Sequence, residues 1–101
     1  MKSLIILGST GSIGTQALDV CRRDGYKVTA LAAGSNIELL EKQAREFNPS
    51  LVAVFDEEKA KELKIKLADT EIKVLGGVEG VCEAAQGNGD IVLNSIVGIA
   101  G

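Results

Sequence analysis

Short apolar runs alternate with amphipathic stretches along the whole chain. The runs are Leu4-Ile5-Ile6-Leu7, Lys27-Val28-Thr29-Ala30-Leu31-Ala32, Leu51-Val52-Ala53-Val54, Ile72-Lys73-Val74-Leu75 and Asp90-Ile91-Val92-Leu93. Runs this short and this continuous suit strands buried on both faces. Their starts lie roughly twenty residues apart, the length of one strand plus one helix. The stretches between them carry helical periodicity. Ile13, Ala17, Val20 and Cys21 make one stripe, and Ile37, Leu40, Ala44 and Phe47 a second. Ala60, Leu63 and Leu67 make a third, and Val78, Val81, Cys82 and Ala85 a fourth. Each stripe predicts one helix face turned to a sheet.

The punctuation fits the same scheme. Gly25 follows Arg22-Arg23, a helix stop with cations in the last turn. Asn48-Pro49 ends the second helix, and Asp56 before Glu57-Glu58 caps the third. Gly87-Asn88-Gly89 is a turn ahead of the last strand. The expected order is β-α-β-α-β-α-β-α-β. Strands alternating with helices predict an α/β fold, with a parallel sheet of about five strands, helices on both faces and right-handed crossovers.

Composition narrows the function. The chain has 101 residues, 46% hydrophobic and 25% charged, with a net charge of −3. That is one soluble domain, and the acidic balance argues against a nucleic-acid partner. No apolar run is long enough to span a membrane, and the first twenty residues do not read as a secretory signal. With two cysteines and no metal-ligand spacing, a reducing, cytoplasmic setting is expected. Both cysteines fall on the apolar stripes and read as small buried side chains. The absence of histidine removes Ser-His-Asp and Cys-His chemistry and any histidine metal ligand. No carboxylates converge on a predicted ligand edge, so no metal ligand and no general acid or base is assigned within the chain.

The chemistry concentrates in Gly8-Ser9-Thr10-Gly11-Ser12-Ile13-Gly14, which leaves the first strand and opens the first helix. Gly8 permits a tight turn, Gly11 removes a Cβ where a pyrophosphate approaches, and Gly14 lets the helix pack closely. The N–H groups of Thr10, Gly11, Ser12 and Ile13 would face the anion at the helix N-terminus. The hydroxyls of Ser9, Thr10 and Ser12 would add hydrogen bonds. A glycine loop serving only chain reversal is the plainer reading. Its place in the first turn of an alternating βα chain favours a dinucleotide.

The second strand runs into Ala32-Ala33-Gly34-Ser35-Asn36 with no carboxylate for a ribose 2′-hydroxyl. That favours a 2′-phosphate, hence NADP(H), with Ser35 and Asn36 as hydrogen-bond donors. Ser35 and Glu38 also fit a capping box, and the two readings are compatible. Gly76-Gly77 and the segment from Asn94 to Gly101 follow strands at the same sheet edge. Both are candidates to line the nicotinamide half, and Gly76-Gly77 reads equally as a plain strand-to-helix turn.

Leu7 to Gly14 with Thr15-Gln16-Ala17-Leu18-Asp19-Val20, the Ala32 to Asn36 turn and the Asn94-Ser95-Ile96-Val97-Gly98-Ile99-Ala100-Gly101 segment together resemble the start of the 1-deoxy-D-xylulose 5-phosphate reductoisomerase family. The resemblance runs over essentially the whole chain. It implies a Rossmann-like NADPH-binding domain over residues 1–101, and an oxidoreductase and isomerase of non-mevalonate isoprenoid biosynthesis. That family converts 1-deoxy-D-xylulose 5-phosphate to 2-C-methyl-D-erythritol 4-phosphate, needs Mg²⁺, Mn²⁺ or Co²⁺, is inhibited by fosmidomycin and is generally a homodimer. Carried over by position, its NADPH contacts fall on Thr10, Gly11, Ser12, Ile13, Gly34, Ser35 and Asn36. At Ser35 the family often has Lys or Arg, which leaves the 2′-phosphate without a charged partner there. Family chains are several times longer, with metal ligands and the substrate site further on. The chain is therefore expected to be a fragment, inactive by itself. The alternatives are another NADP-linked dehydrogenase domain or a non-catalytic nucleotide sensor.

Overall fold

The computed structural model describes residues 3–86 and 89–94. Five strands and four helices alternate: β1 (Ser3–Leu7), α1 (Ser12–Asp24), β2 (Lys27–Ala33), α2 (Ile37–Phe47), β3 (Leu51–Val54), α3 (Glu57–Lys66), β4 (Lys73–Gly76), α4 (Gly77–Ala85) and β5 (Ile91–Asn94). All neighbouring strands pair in parallel, in the order β4-β3-β2-β1-β5. The chain steps outward from β1 to β4, then returns past β1 to add β5 on its other side. The five apolar runs are the five strands, as the sequence predicts. Gly87 and Asn88 of the last turn lie outside the described residues.

The two faces of the sheet differ. One buries Ile6, Leu31, Val52 and Val54 beneath Leu18, Leu40, Leu63 and Leu67 of the α1–α3 side. The other buries Ile5, Leu7, Ala30, Ala32 and Ala53, among the described residues beneath Val81 and Ala84 of α4. Alanines on β2 and β3 let α4 lie close, and so does Gly80. A Cβ there would stand 2.8 Å from the Leu75 Cβ. Ile91 and Val92 on β5 stay about half exposed.

Strand β2 carries one extra residue. Leu4 pairs with Val28 and Ile5 with Ala30, which leaves Thr29 without a partner in the β1 register. The bulge resets the alternation of the strand. Val28 and Leu31 thus reach the same face although three positions separate them.

Two predicted stripes are rotated. Helix α1 buries Gly14, Leu18 and Cys21, while Ile13 and Val20 are exposed. Gly14 sets that rotation. A Cβ there would lie 2.1 Å from the Gly8 carbonyl oxygen, so the helix sits directly on the turn. Helix α4 buries Gly80, Val81 and Ala84, which leaves Val78 and Cys82 exposed. Only Cys21 is a buried thiol, and burial raises its pKa. The stripes of α2 and α3 hold, with Ile37, Leu40, Ala44, Ala60, Leu63 and Leu67 buried.

The predicted stops are present. Gly25 and Asn48 are left-handed, at φ 76° and 50°. Asp56 caps α3 through its carboxylate, which accepts from the Glu58 and Lys59 amides. Helix α2 begins one residue later than the Ser35 capping box requires. Its cap is Asn36, whose side chain accepts from the Leu39 amide at 3.3 Å.

Candidate functional site

In an open parallel sheet, ligands bind where the strand order reverses, beyond the carboxyl ends of the strands. Here that point lies between β1 and β5, where the return step from β4 reverses the strand order. The turn after β1 therefore sits at the crevice, and the turn after β2 sits beside it.

The glycine turn is tied down from below. The Ala32 carbonyl at the end of β2 accepts from the Gly8 amide at 2.7 Å and the Ser9 amide at 3.0 Å. Gly8 takes φ 89°, a conformation that glycine adopts without strain. Ser9 is fully buried, so its hydroxyl lies beneath the turn instead of facing a ligand. This corrects its expected role as a phosphate contact. The Gln43 side chain of α2 donates through Nε2 to the Ser9 carbonyl at 2.8 Å.

Above this base the expected contacts are exposed or half-exposed. Thr10 is half-buried, and Gly11, Ser12 and Ile13 are exposed. The amides of Thr10, Ser12 and Ile13 have no acceptor among the described residues. The Gly11 amide differs from expectation, because it donates to the Gly8 carbonyl at 3.1 Å and closes the turn. The Thr15 hydroxyl donates to the Gly11 and Ser12 carbonyls, which stiffens the first turn of α1. Ile13 belongs to this surface and not to the core, at 56% exposure.

The neighbouring turn holds Gly34, Ser35 and Asn36. The Gly34 carbonyl accepts from the Asp56 amide at 3.0 Å, which fastens the turn to the end of β3. The Ser35 hydroxyl has no partner among the described residues and is exposed. The Asn36 Oδ1 is committed to the α2 cap, which leaves its Nδ2 as the donor. The carboxylate of Asp56 is turned into the cap of its own helix. The structure thus brings Thr10–Ile13 and Gly34–Asn36 to adjacent strand ends.

Gly76-Gly77 does not join them. Strand β4 lies at the opposite edge, with β3 and β2 between it and β1. Both glycines have internal reasons. Gly77 takes φ 77°, and a Cβ at Gly76 would stand 2.7 Å from the Ala60 Cβ. The segment is a strand-to-helix turn, which corrects its expected place near the nicotinamide. Asn94 ends β5 opposite Leu7, and residues 95–101 of the expected lining lie outside the described residues. Among the described residues, no three Cys, Asp or Glu side chains converge as metal ligands. No described helix is long and apolar enough to cross a membrane. Sequence reasoning missed Gln43 because a glutamine within an amphipathic helix reads as solvated.

The profile of the 1-deoxy-D-xylulose 5-phosphate reductoisomerase family matches residues 4–101. A 1-deoxy-D-xylulose 5-phosphate reductoisomerase of Lachnoclostridium phytofermentans is 52% identical over 103 residues, covering all of this chain and 26% of its own. One from Acetivibrio thermocellus is 60% identical over 81 residues, covering 80% of this chain and 21% of its own. Among solved structures, a DOX-P reductoisomerase in complex with magnesium superposes with a TM-score of 0.93 at 35% identity, over 100% of this chain and 26% of that one. The Zymomonas mobilis enzyme in complex with NADPH gives 0.89 at 32% identity, over 94% of this chain and 26% of that one. This chain thus spans about a quarter of the length of those relatives. Fold, glycine turn and relatives agree, and the chain belongs to the 1-deoxy-D-xylulose 5-phosphate reductoisomerase family.

Proposed function

We propose that this chain is the NADPH-binding domain of a 1-deoxy-D-xylulose 5-phosphate reductoisomerase. Thr10, Gly11, Ser12 and Ile13 hold the pyrophosphate side, and Gly34, Ser35 and Asn36 hold the 2′-phosphate side. One observation supports this reading: Gly11 and Gly34 are glycines that no described residue demands. Gly11 has ordinary extended angles, and a Cβ there would meet only the Gly8 carbonyl oxygen, at 3.5 Å. A Cβ at Gly34 would meet nothing within 4 Å among the described residues. Glycine costs roughly 0.5–1 kcal/mol against alanine where its freedom is not used, and serine would cap α1 better at position 11. No described residue accounts for either glycine, and a nucleotide lying on the two turns would account for both.

Bound there, NADPH supplies the hydride that reduces the rearranged aldehyde to 2-C-methyl-D-erythritol 4-phosphate. The chain's own residues bind and orient. The amides of Thr10, Ser12 and Ile13 offer donors to an anion at the positive end of α1. Ser35 and the Asn36 Nδ2 offer neutral donors to a 2′-phosphate, with no carboxylate in their turn to repel it. Among the described residues no three Cys, Asp or Glu side chains converge, and the reading places the metal and the sugar phosphate on the rest of a longer protein. A cytoplasmic homodimer without a nucleic-acid partner completes the reading.

The test is Gly11→Val in the full-length enzyme. Calorimetry is expected to show NADPH binding abolished, with the melting temperature little changed because the backbone tolerates the side chain. Retained NADPH affinity would sink the assignment. The parent enzyme is expected to prefer NADPH over NADH in the same titration.

A further inference from the structure

Gln43 is the one long polar side chain buried on the inner face of α2, at 6% exposure among Ile37, Leu40 and Ala44. Its Nε2 donates to the Ser9 carbonyl at 2.8 Å. A carbonyl oxygen only accepts, so the amide orientation is fixed by chemistry. Its Oε1 and the Ser9 hydroxyl are both buried and unpartnered. Unpartnered buried polar atoms cost stability, and a leucine or methionine at position 43 would avoid part of that cost. Stability alone therefore does not explain the glutamine.

Peptide geometry supplies the explanation. A trans peptide is planar, and its C=O and N–H point in opposite directions. Gln43 draws the Ser9 carbonyl inward toward α2. The N–H of the same peptide unit belongs to Thr10 and is aimed the other way, away from the core. That amide is one of the donors without an acceptor. The Ser9 amide, on the preceding peptide, is held by the Ala32 carbonyl at 3.0 Å. Ser9 is thus clamped from β2 on one side and from α2 on the other. Gln43 also lies two helical turns, about 10 Å, beyond Asn36, the cap of the same helix. One rigid element therefore joins the two turns of the site.

We propose that Gln43 is a positioning residue for the cofactor: it orients the Ser9–Thr10 peptide so that the Thr10 amide faces the pyrophosphate. The proposal rests on the cofactor reading above and names which peptide of the turn must be held. Without the Gln43 donor the peptide is free to rotate and withdraw that amide.

The experiment uses the full-length enzyme with Gln43→Met and Gln43→Glu, which keep the reach and remove the neutral donor. The KM and Kd for NADPH are expected to rise about tenfold, the value of about one hydrogen bond to a charged group. kcat at saturating NADPH falls by much less than KM rises. Binding of adenosine 2′-monophosphate, which needs only the Gly34–Asn36 turn, stays as in the parent. In the cofactor-free enzyme the Ser9 amide exchanges faster with solvent in both variants, while the Leu31 amide at the sheet centre does not. Unchanged NADPH binding in a parent that binds it overturns the proposal. Equal losses for both nucleotides, or loss of the folded state in both variants, overturn it too, because Gln43 then supports the fold alone. A parent that binds no NADPH defeats the cofactor reading, and the Ser9 exchange then decides whether Gln43 holds the turn.

Discussion

The two faces of the sheet are built to different plans from the same strands. On β3, Val52 and Val54 belong to the core beneath the α1–α3 side, and Ala53 between them belongs, among the described residues, to the core beneath α4. On β2, Leu31 and Ala32 divide in the same way. The thick face is made of local steps, in which each of α1, α2 and α3 returns the chain to the adjacent strand. Branched side chains fill the grooves these helices leave. The thin face carries a single long-range step: α4 leaves β4 at one edge and leads to β5 beyond β1. Alanines flatten its path. That return step reverses the strand order and so creates the crevice beside the glycine turn. The thick face supplies most of the buried apolar volume, and the thin face supplies the topology that the site depends on.

This division can be broken in graded ways. Leu40→Ala empties a fully buried position on the thick face and should cost about 2–5 kcal/mol, read as a lower denaturant midpoint. Cofactor affinity of the protein that remains folded should be nearly unchanged. Ala53→Leu overfills the thin face and should cost about 1–3 kcal/mol. It should also weaken NADPH binding, because α4 is lifted and the crevice flanked by β5 shifts with it. If Leu40→Ala damaged binding more than Ala53→Leu did, the two faces would not divide the work as described.

The smallest effect belongs to the rim of the thick face. Arg22 of α1 pairs with Glu46 of α2 and stacks over the Phe47 ring, and Arg45 of α2 pairs with Asp69. The hydrogen bonds from Arg22 and Arg45 hold the Glu46 and Asp69 carboxyls below their ordinary range. A lowered folded-state pKa stabilises above the unfolded value and is lost as the pH falls through the folded one. Thermal melts should therefore show a slight loss below the ordinary Glu46 value of 4.5, damped by added salt. Arg22→Met should remove part of that dependence without touching the crevice.

Most of the fold was legible in the sequence because five apolar runs and four stripes leave few arrangements of an alternating chain. The helix rotations were less legible, and small residues are the reason. Gly14 and Gly80 bury helix faces by letting backbones approach, which a search for apolar side chains passes over. The cap of α2 was misplaced by one residue because Ser35 and Asn36 are both good caps, and tertiary position decides between them. That Thr10, Gly11, Ser12 and Ile13 lie where the chain turns from β1 into α1 follows from spacing alone. That Ser9 turns inward could not, since its environment is Gln43, 34 residues away in the chain. The distance of Gly76-Gly77 from the site follows from strand order, which no local pattern encodes.

Thr29 gives β2 two reading frames. The strand before it and the strand after it each alternate regularly, but out of step with one another. Removing this one residue would not simply shorten β2. It would turn Val28 outward from beneath α1–α3 or drive Ala30 through Ala33 each onto the wrong side. A transplant or trimming of this strand must therefore carry the bulge with it. Substitutions at Thr29 itself meet a half-buried position outside the β1–β2 register, and they would lose only the hydroxyl's 3.3 Å bond to the Leu4 carbonyl. The position tolerates many letters but not their omission.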